Sequence, residues 1–412
     1  NFALAHARLS TVYLNLGEQS ASRDEIITAY AMRDRVSEPE RLYITARYAT
    51  IVEGSVQKSI ETYQIWTQTY PSDFVPHSNL AVAFEQRGDH EKAIEEYHTA
   101  IRLAPDEPLP YGNLAGIYST LGRGDEARKT VEDAIGRGLD SIGFRGLLYT
   151  LAFFRKDEAE MARQAVAAQR LSEGFQMLLT QASVAISEGK IGRAHDLCEQ
   201  YTSEVALRTG LRGSAAGAWG DFAQSAAMFG DAAAARAAVR RTLELDRGIR
   251  ALLGTAYALI LVRDVAEGER LIAEAAKVTG GNTPDAQSGL ALLGALVKSR
   301  KGDRTALENL PMPKSDTDFI TMSVIGVLNL ETGSAEIAAE RFKQIVDRRA
   351  LFPSPLRTVA PLFYGRALAK LSRIDESRKA YEQFFSEMKS ADPGLPIVTA
   401  AKAEYARLKN AS

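Results

Sequence analysis

The chain has 412 residues, 45% hydrophobic and 25% charged, an ordinary balance for a globular protein. Fifty basic residues against fifty-two acidic ones leave a net charge of -2, which argues against nucleic acid or an anionic membrane surface as the main partner. No run of about 18 apolar residues spans a bilayer, and a single cysteine, Cys198, excludes an intrachain disulfide. The opening NFALAHARLS has neither a methionine nor a signal-peptide pattern, so the chain reads as a piece whose neighbours are missing.

Taken in chain order, the elements are helical hairpins. Leu9, Tyr13 and Gly17 fit a first one, and Ser37-Glu-Pro-Glu40 reads as a capping box opening a helix. The stretch NLAVAFEQRGDHEKAIEEYHTAIRLAP, Asn79 to Pro105, then sets the pattern. A step of 34 residues carries Asn79 to Asn113, Leu80 to Leu114, Ala81 to Ala115, Gly88 to Gly122, Ala93 to Ala127 and Ala100 to Ala134. A step back reaches Ala46, Gly54, Tyr63 and Pro71. Each type has a physical job. Ala81 and Ala93 let two helices cross closely, Gly88 ends the first helix in the left-handed conformation, Tyr97 fills the groove, and Pro105 stops the second helix. One such hairpin cannot bury its own apolar face, so copies must stack.

The pattern continues with decay. Leu148 and Ala152 fit a repeat near 142. Ala182, Gly189, Ala194 and Cys198 fit one near 175, and Trp219, Ala223, Gly230, Ala235 and Val239 one near 216. Ala256 and Ile272 mark another, with Gly268 in place of the expected alanine. Gly302 marks a shortened one, and Gly326, Gly333, Ala338 and Phe342 the next. The last departs at two small positions, using Gly365, Ser372, Ser377 and Tyr381. Ser203–Ser214, Gly280–Gln287 and Pro311–Asp316 read as loops between repeats. TAAKAEYARLK, after Pro396, reads as a charged amphipathic helix capping the last hairpin.

These residues resemble the tetratricopeptide repeat. The resemblance implies an all-α, right-handed superhelical solenoid of about eleven antiparallel hairpins with a C-terminal capping helix. The expected organisation is a single continuous array over 1–412, clearest over 40–141, degenerate over 142–397, and capped over about 397–409.

Catalytic and metal chemistry find little support. Glu95 and His98 have the Glu-x-x-His spacing of di-metal helices, and His90-Glu91 begins a zinc motif that fails at Ile94. At about 100° per residue, Glu91, Glu95 and His98 fall opposite Ala93 and Tyr97, on the solvent face. None of His6, His77, His90 and His195 has a glutamate three residues before it. Cys198 occupies the Tyr97 position of its own repeat and reads as core. Gly189-Lys190 lacks the earlier glycine of a phosphate loop, and Gly136-Arg-Gly138 follows a helix rather than a strand. The expectation is no enzyme activity, no cofactor and no metal. Arg236, Arg240 and Arg241 read as a solvated helix face.

The remaining candidate is the inner face of the first helices. In tetratricopeptide families an asparagine at the positions of Asn79 and Asn113 can hold the backbone of a bound peptide. By the same register Arg41, Thr45, Tyr48, Val82 and Gly116 belong to this peptide-binding groove. Ser78, Gly112 and Leu109 stand where the family's chaperone-tail clamp would place basic residues, so an extended, more apolar peptide is expected on a floor opened by Gly112 and Gly116. The phrases at 32–48, 66–82 and 381–408 are similar to the tetratricopeptide tails of bacterial receptor-type serine/threonine kinases. That resemblance implies a sensory or docking tail binding a protein or peptide partner, extracytoplasmic in a receptor kinase and cytoplasmic otherwise. The chain would be a monomer or weak oligomer, without nucleic acid or direct membrane insertion. The kinase motifs themselves are absent from this sequence. Competing readings are the tail of a winged-helix transcription regulator, a small-molecule or lipid sensor, an accessory region presenting substrate to an enzyme, and self-assembly through the solenoid ends.

Overall fold

The computed structural model describes residues 2–15, 19–206, 211–278, 284–313, 318–348 and 351–410. All their regular structure is helical, and none of these helices is long and apolar enough to cross a membrane. The chain divides into two compact units, residues 1–167 and 168–412.

Unit 1 holds five hairpins. They are α1 (Ala3–Asn15) with α2 (Gln19–Ala31), α3 (Glu38–Ile51) with α4 (Val56–Thr69), and α5 (Phe74–Arg87) with α6 (His90–Leu103). Then come α7 (Pro108–Thr120) with α8 (Gly124–Gly136) and α9 (Ile142–Arg155) with α10 (Glu158–Ala168), whose last residue crosses the boundary. Unit 2 holds α11 (Met177–Ser187) with α12 (Ile191–Ala206), α13 (Arg212–Met228) with α14 (Ala232–Leu245), and α15 (Ile249–Leu261) with α16 (Val265–Ala275). In the next hairpin α17 (Pro284–Arg300) is followed by only a short 3-10 turn, Arg304–Leu307, the shortened repeat expected at Gly302. Then α18 (Phe319–Thr332) pairs with α19 (Ala335–Asp347), and α20 (Pro355–Lys370) with α21 (Ile374–Glu387). Finally α22 (Pro396–Asn410) packs on α21. Each unit is a helical solenoid of adjacent pairs, eleven in all among the described residues.

Local chemistry accounts for the boundaries. At Ser37 the capping box is complete, with the Ser37 amide donating to Glu40 Oε2 at 2.9 Å. Asp73 caps α5 by accepting from the Val75 amide at 3.0 Å. Gly88 ends α5 at φ 88°, in the region that glycine enters at least cost. The segments expected as loops are shorter than the sequence implies. Ser203–Ala206 extend α12, Arg212–Ser214 belong to α13, and Pro284–Gln287 to α17. In these places a long amphipathic or small-residue helix tolerates the Ser and Gly that usually mark a turn. Gly17, Gly280 and Lys314–Asp316 lie outside the described residues.

The crossing of the two helices in a hairpin is set by small residues. Ala81 with Ala93 and Ala115 with Ala127 are fully buried, as is Tyr97. Later hairpins cross more tightly. A methyl group on Gly326 would lie 2.8 Å from the Phe342 ring, and one on Gly365 would lie 2.8 Å from the Tyr381 ring. The Ser377 hydroxyl donates to the Gly365 carbonyl at 2.7 Å. Gly268, which departs from the expected alanine, would bring a Cβ to 2.7 Å of Ile260. These departures from the pattern are therefore closer approaches.

Unit 2 also closes on itself. Its first helices α13, α15, α17, α18 and α20 contact one another in succession, and α20 also reaches α11 and α13. One apolar core runs through Leu252, Leu292, Val324, Leu362 and Phe384. Thr358 donates from α20 to the Ser187 carbonyl at 3.0 Å. The segment before α22 lies across the turns of the first two hairpins. The Asp392 amide donates to the Gly189 carbonyl at 3.1 Å, and the Ile397 amide to the Phe229 carbonyl at 3.1 Å. Asp392 Oδ2 accepts from the Gly192 amide at 2.9 Å. A Cβ on Gly189 would stand 2.6 Å from Met388 and 2.8 Å from Ala391, whereas one on Gly302 would meet nothing within 4 Å. Both glycines have positive φ. Gly302→Ala should therefore cost only the left-handed strain, about 1–2 kcal/mol. Gly189→Ala should cost a further ~1–3 kcal/mol from overpacking. Urea unfolding of the two variants checks this, and equal midpoints would mean that the 388–397 segment does not hold to that turn.

Candidate functional site

In unit 1 the second helix of one hairpin packs on the first helix of the next, α4 on α5, α6 on α7 and α8 on α9. This stacking buries Ala93, Tyr97, Ala127 and Val131 and leaves a second face of the first helices partly open. The candidate residues stand on that face at fixed distances from each turn glycine. Asn79 and Val82 precede Gly88 by nine and six residues, Asn113 and Gly116 precede Gly122 likewise, and Thr45 and Tyr48 precede Gly54. Arg41, one turn earlier on α3, is exposed, as is Gly116, and the other five are half-buried. At the same register of α15, α17 and α18 in unit 2 four side chains are core, whereas in α11, α13 and α20 Thr180, Ser183, Gln224, Phe363 and Arg366 are half-buried and Asp221 is exposed. Tyr257 is 7% exposed, Leu293 6%, Leu296 1% and Val324 2%.

Several candidate side chains already have partners. Asn79 Nδ2 donates to the Val75 carbonyl at 2.8 Å. Thr45 donates to the Arg41 carbonyl at 2.7 Å, and Arg41 pairs with Glu38 at 3.5 Å. Tyr48 stacks on Tyr30 with ring centroids 3.8 Å apart, and Arg33 lies 3.9 Å over the other ring. Asn113 lies beside the Tyr97 hydroxyl, which donates to Glu85 Oε2 at 3.3 Å. A Cβ on Gly116 would meet nothing within 4 Å, so the floor there is open. On Gly112 it would meet Phe144 at 3.6 Å, so that part of the expected floor is walled, and Ser78 is buried.

Glu85 is a group that the sequence reading missed. It follows Val82 by three residues on α5, so the i, i+3, i+6 spacing from Asn79 was the signal that could have found it. The 19-residue spacing of His77 and Glu96 was a second missed signal. His77 Nδ1 lies 2.6 Å from Glu96 Oε2, and His6 pairs with Glu25 at the same spacing, each tying the first helix of a hairpin to the second.

The acids and histidines of α6 are apart from any common ligand. Glu91 is exposed and pairs with Arg123 at 3.1 Å, while Glu95 is exposed. His98 is exposed too, with its Nε2 3.1 Å from the Tyr118 hydroxyl of α7. Protein around that ring lowers its pKa, with Arg102 and Arg123 acting in the same direction. Among the described residues no group of three or more His, Cys, Asp or Glu could hold a metal ion. Cys198 is 2% exposed, and burial pushes its thiol up to about 12, so the thiolate that a nucleophile needs is suppressed.

Residues 85–148 match the family model of the tetratricopeptide repeat. That match covers 64 of the 412 residues. It runs from Glu85 through α6, α7 and α8 into α9, and so carries Tyr97, Asn113 and Gly116. Among solved structures the chain is similar to a tetratricopeptide repeat protein from Parabacteroides merdae ATCC 43184. The identity is 14% and the TM-score 0.39, over 71% of this chain and 100% of that one. It is also similar to the APC/C hetero-tetramer Cut9-Hcn1, with 10% identity and a TM-score of 0.41, over 97% of this chain and 82% of that one. No curated protein matches.

Burial holds the Glu85 carboxyl above its ordinary range, against the opposing Tyr97 hydrogen bond and nearby His90. An acid raised on folding stabilises the fold below its unfolded pKa, about 4.3, and that contribution is lost as pH rises through the folded value. Glu85→Gln keeps an acceptor for Tyr97 and removes the ionisation. It should raise the melting temperature at pH 7, with the gain shrinking toward pH 4. A melting temperature unchanged at both values would mean that Glu85 is solvated.

Proposed function

We propose that the chain is a non-catalytic scaffold and that the open first-helix face of unit 1 receives an extended segment of a protein partner. The supporting observation is the contrast in one register. Thr45, Tyr48, Asn79, Val82, Asn113 and Gly116 keep open surface in α3, α5 and α7 of unit 1, while Tyr257, Leu293, Leu296 and Val324 are consumed in the core at α15, α17 and α18 of unit 2. A preformed face costs little ordering on the scaffold side. Asn79 and Asn113 would hold the peptide backbone, the Asn79 amide turning from Val75 to do so. Tyr48 and Val82 would take apolar side chains, and the gap over Gly116 would admit a bulky one. The finer reading is the docking tail of a larger signalling protein such as a serine/threonine kinase. It rests on the likeness of 32–48, 66–82 and 381–408 to such tails.

A peptide-display library panned on the chain provides ligands for testing the face. Asn79→Ala with Asn113→Ala should weaken a selected extended peptide on the order of tenfold, the worth of about one net hydrogen bond, with the thermal melt unchanged. Affinity that survives both changes, or that falls only with substitutions in unit 2, would sink the proposal. Gly116→Leu should block peptides that carry a large apolar residue at the matching position and spare those that do not.

A further inference from the structure

The first helices share a second register, on the side that faces the preceding hairpin. In α5 it is occupied by Leu80 and Ala83, in α7 by Leu114 and Ile117, and in α9 by Leu148 and Leu151. A step of 34 residues back from α5 gives Ala46 and Ala49 in α3. All eight are buried, none more than 5% exposed. In each case the second helix of the preceding hairpin covers the first, α2 over α3, α4 over α5, α6 over α7 and α8 over α9.

In α1 the same register falls 37 residues before Ala46 and Ala49, on Leu9 and Val12. They are apolar like their counterparts, yet Leu9 is 37% and Val12 51% exposed. Phe2, 74% exposed, and Ala5, also exposed, extend the row at positions 2, 5, 9 and 12, one stripe of a helix. The opposite side of α1 is satisfied, since Ala3, Ala7 and Ser10 are fully buried against α2 and α3, with Ser10 3.0 Å from Ser22. In unit 2, α22 by comparison is seated on its hairpin, with Ile397 and Ala401 in the core, Arg366 to Glu404 at 2.9 Å and Tyr381 to Glu404 at 2.7 Å. The outer stripe of α1 is therefore dressed as an interior stacking surface.

We propose that the Phe2–Ala5–Leu9–Val12 stripe is a docking surface for the second helix of one further hairpin of this repeat type, stacked on α1 as α4 is stacked on α5. The occupant has the chemistry of α4, α6 and α8. It is an amphipathic helix with a small residue, then an aromatic or branched residue four positions on, as in Ser59 and Tyr63, Ala93 and Tyr97, and Ala127 and Val131. The register argument selects this occupant. Each of these covered copies in α3, α5, α7 and α9 is covered by such a helix, and among the described residues none covers the stripe of α1.

The test supplies the occupant. Residues 38–105, which carry α3 to α6, are joined ahead of Phe2 so that a copy of α6 precedes α1 as it precedes α7. Circular dichroism reads whether the added residues are helical, and hydrogen exchange reads the amides of α1 and α2. The proposal expects added helix and at least tenfold slower exchange in α1. Leu9→Glu with Val12→Glu should abolish that gain, while leaving the melting of the unextended chain unchanged because both side chains are exposed there. Exchange in α1 that stays unchanged, or an extension that gains no helix on this surface, would overturn the proposal. So would sedimentation showing that the unextended chain is a dimer converted to monomer by the same two substitutions, because the occupant would then be a second copy.

Discussion

The close crossing of two helices at paired small residues is the constraint on which the rest of the structure depends. With Ala81 against Ala93, or Gly365 under Tyr381, the two backbones approach until one aromatic or branched side chain fills the groove between them. Dense packing then makes each hairpin a nearly rigid plate with two apolar faces. Such a plate is unstable alone and must stack, so the fold is an array rather than a globule with one centre. The crossing also decides which letters of the sequence are free. Positions on the crossing and stacking faces are committed to packing, and only the remaining face of the first helices and the outer face of the second can carry function.

The two units use that freedom differently. In unit 1 successive hairpins communicate mainly through second helix on first helix, and the spare face of the first helices carries Thr45, Tyr48, Asn79, Val82 and Asn113. In unit 2 the first helices touch one another directly, and in α15, α17 and α18 the same register carries Tyr257, Leu293, Leu296 and Val324 in the core. The shortened hairpin at Arg304–Leu307 and the glycines of the tightest crossings belong to this unit. Its last segment lies across the turns at Gly189 and Gly230, where the absence of a side chain makes room for Met388, Ala391 and Pro396. A groove-lining register in unit 1 has thus become a core register at α15, α17 and α18 of unit 2 through a change from polar or small residues to large apolar ones.

Much of this was legible in the sequence. The 34-residue step, the turn glycines and the small–aromatic pairs specify hairpins, and eleven are present among the described residues with the final helix where the charged amphipathic stretch falls. The capping box at Ser37 was legible because it is a purely local interaction. What stayed hidden depends on contacts between distant residues. The hold of Asp392 on Gly189 and Gly192 joins positions about two hundred residues apart, and no periodicity announces it. The walling of Gly112 by Phe144 needs the orientation of the next hairpin. The extent of α12, α13 and α17 was underestimated because Ser and Gly were read as turn residues, although in a stacked array they serve equally as small packing residues. At the candidate face, register alone located Asn79 and Asn113, while the hydrogen bond that occupies Asn79, to Val75, and the nearness of Asn113 to the Tyr97 hydroxyl required coordinates.

The central claim is that the open face of the first helices in unit 1 is the binding surface and that its counterpart in α15, α17 and α18 of unit 2 is closed. The most direct measurement is a hydrogen-exchange footprint of the chain with and without a saturating selected peptide. The account predicts added protection concentrated in α3, α5 and α7, with α15, α17 and α18 unchanged. Protection appearing in α15, α17 and α18, or along the outer faces of α4, α6 and α8, would contradict it.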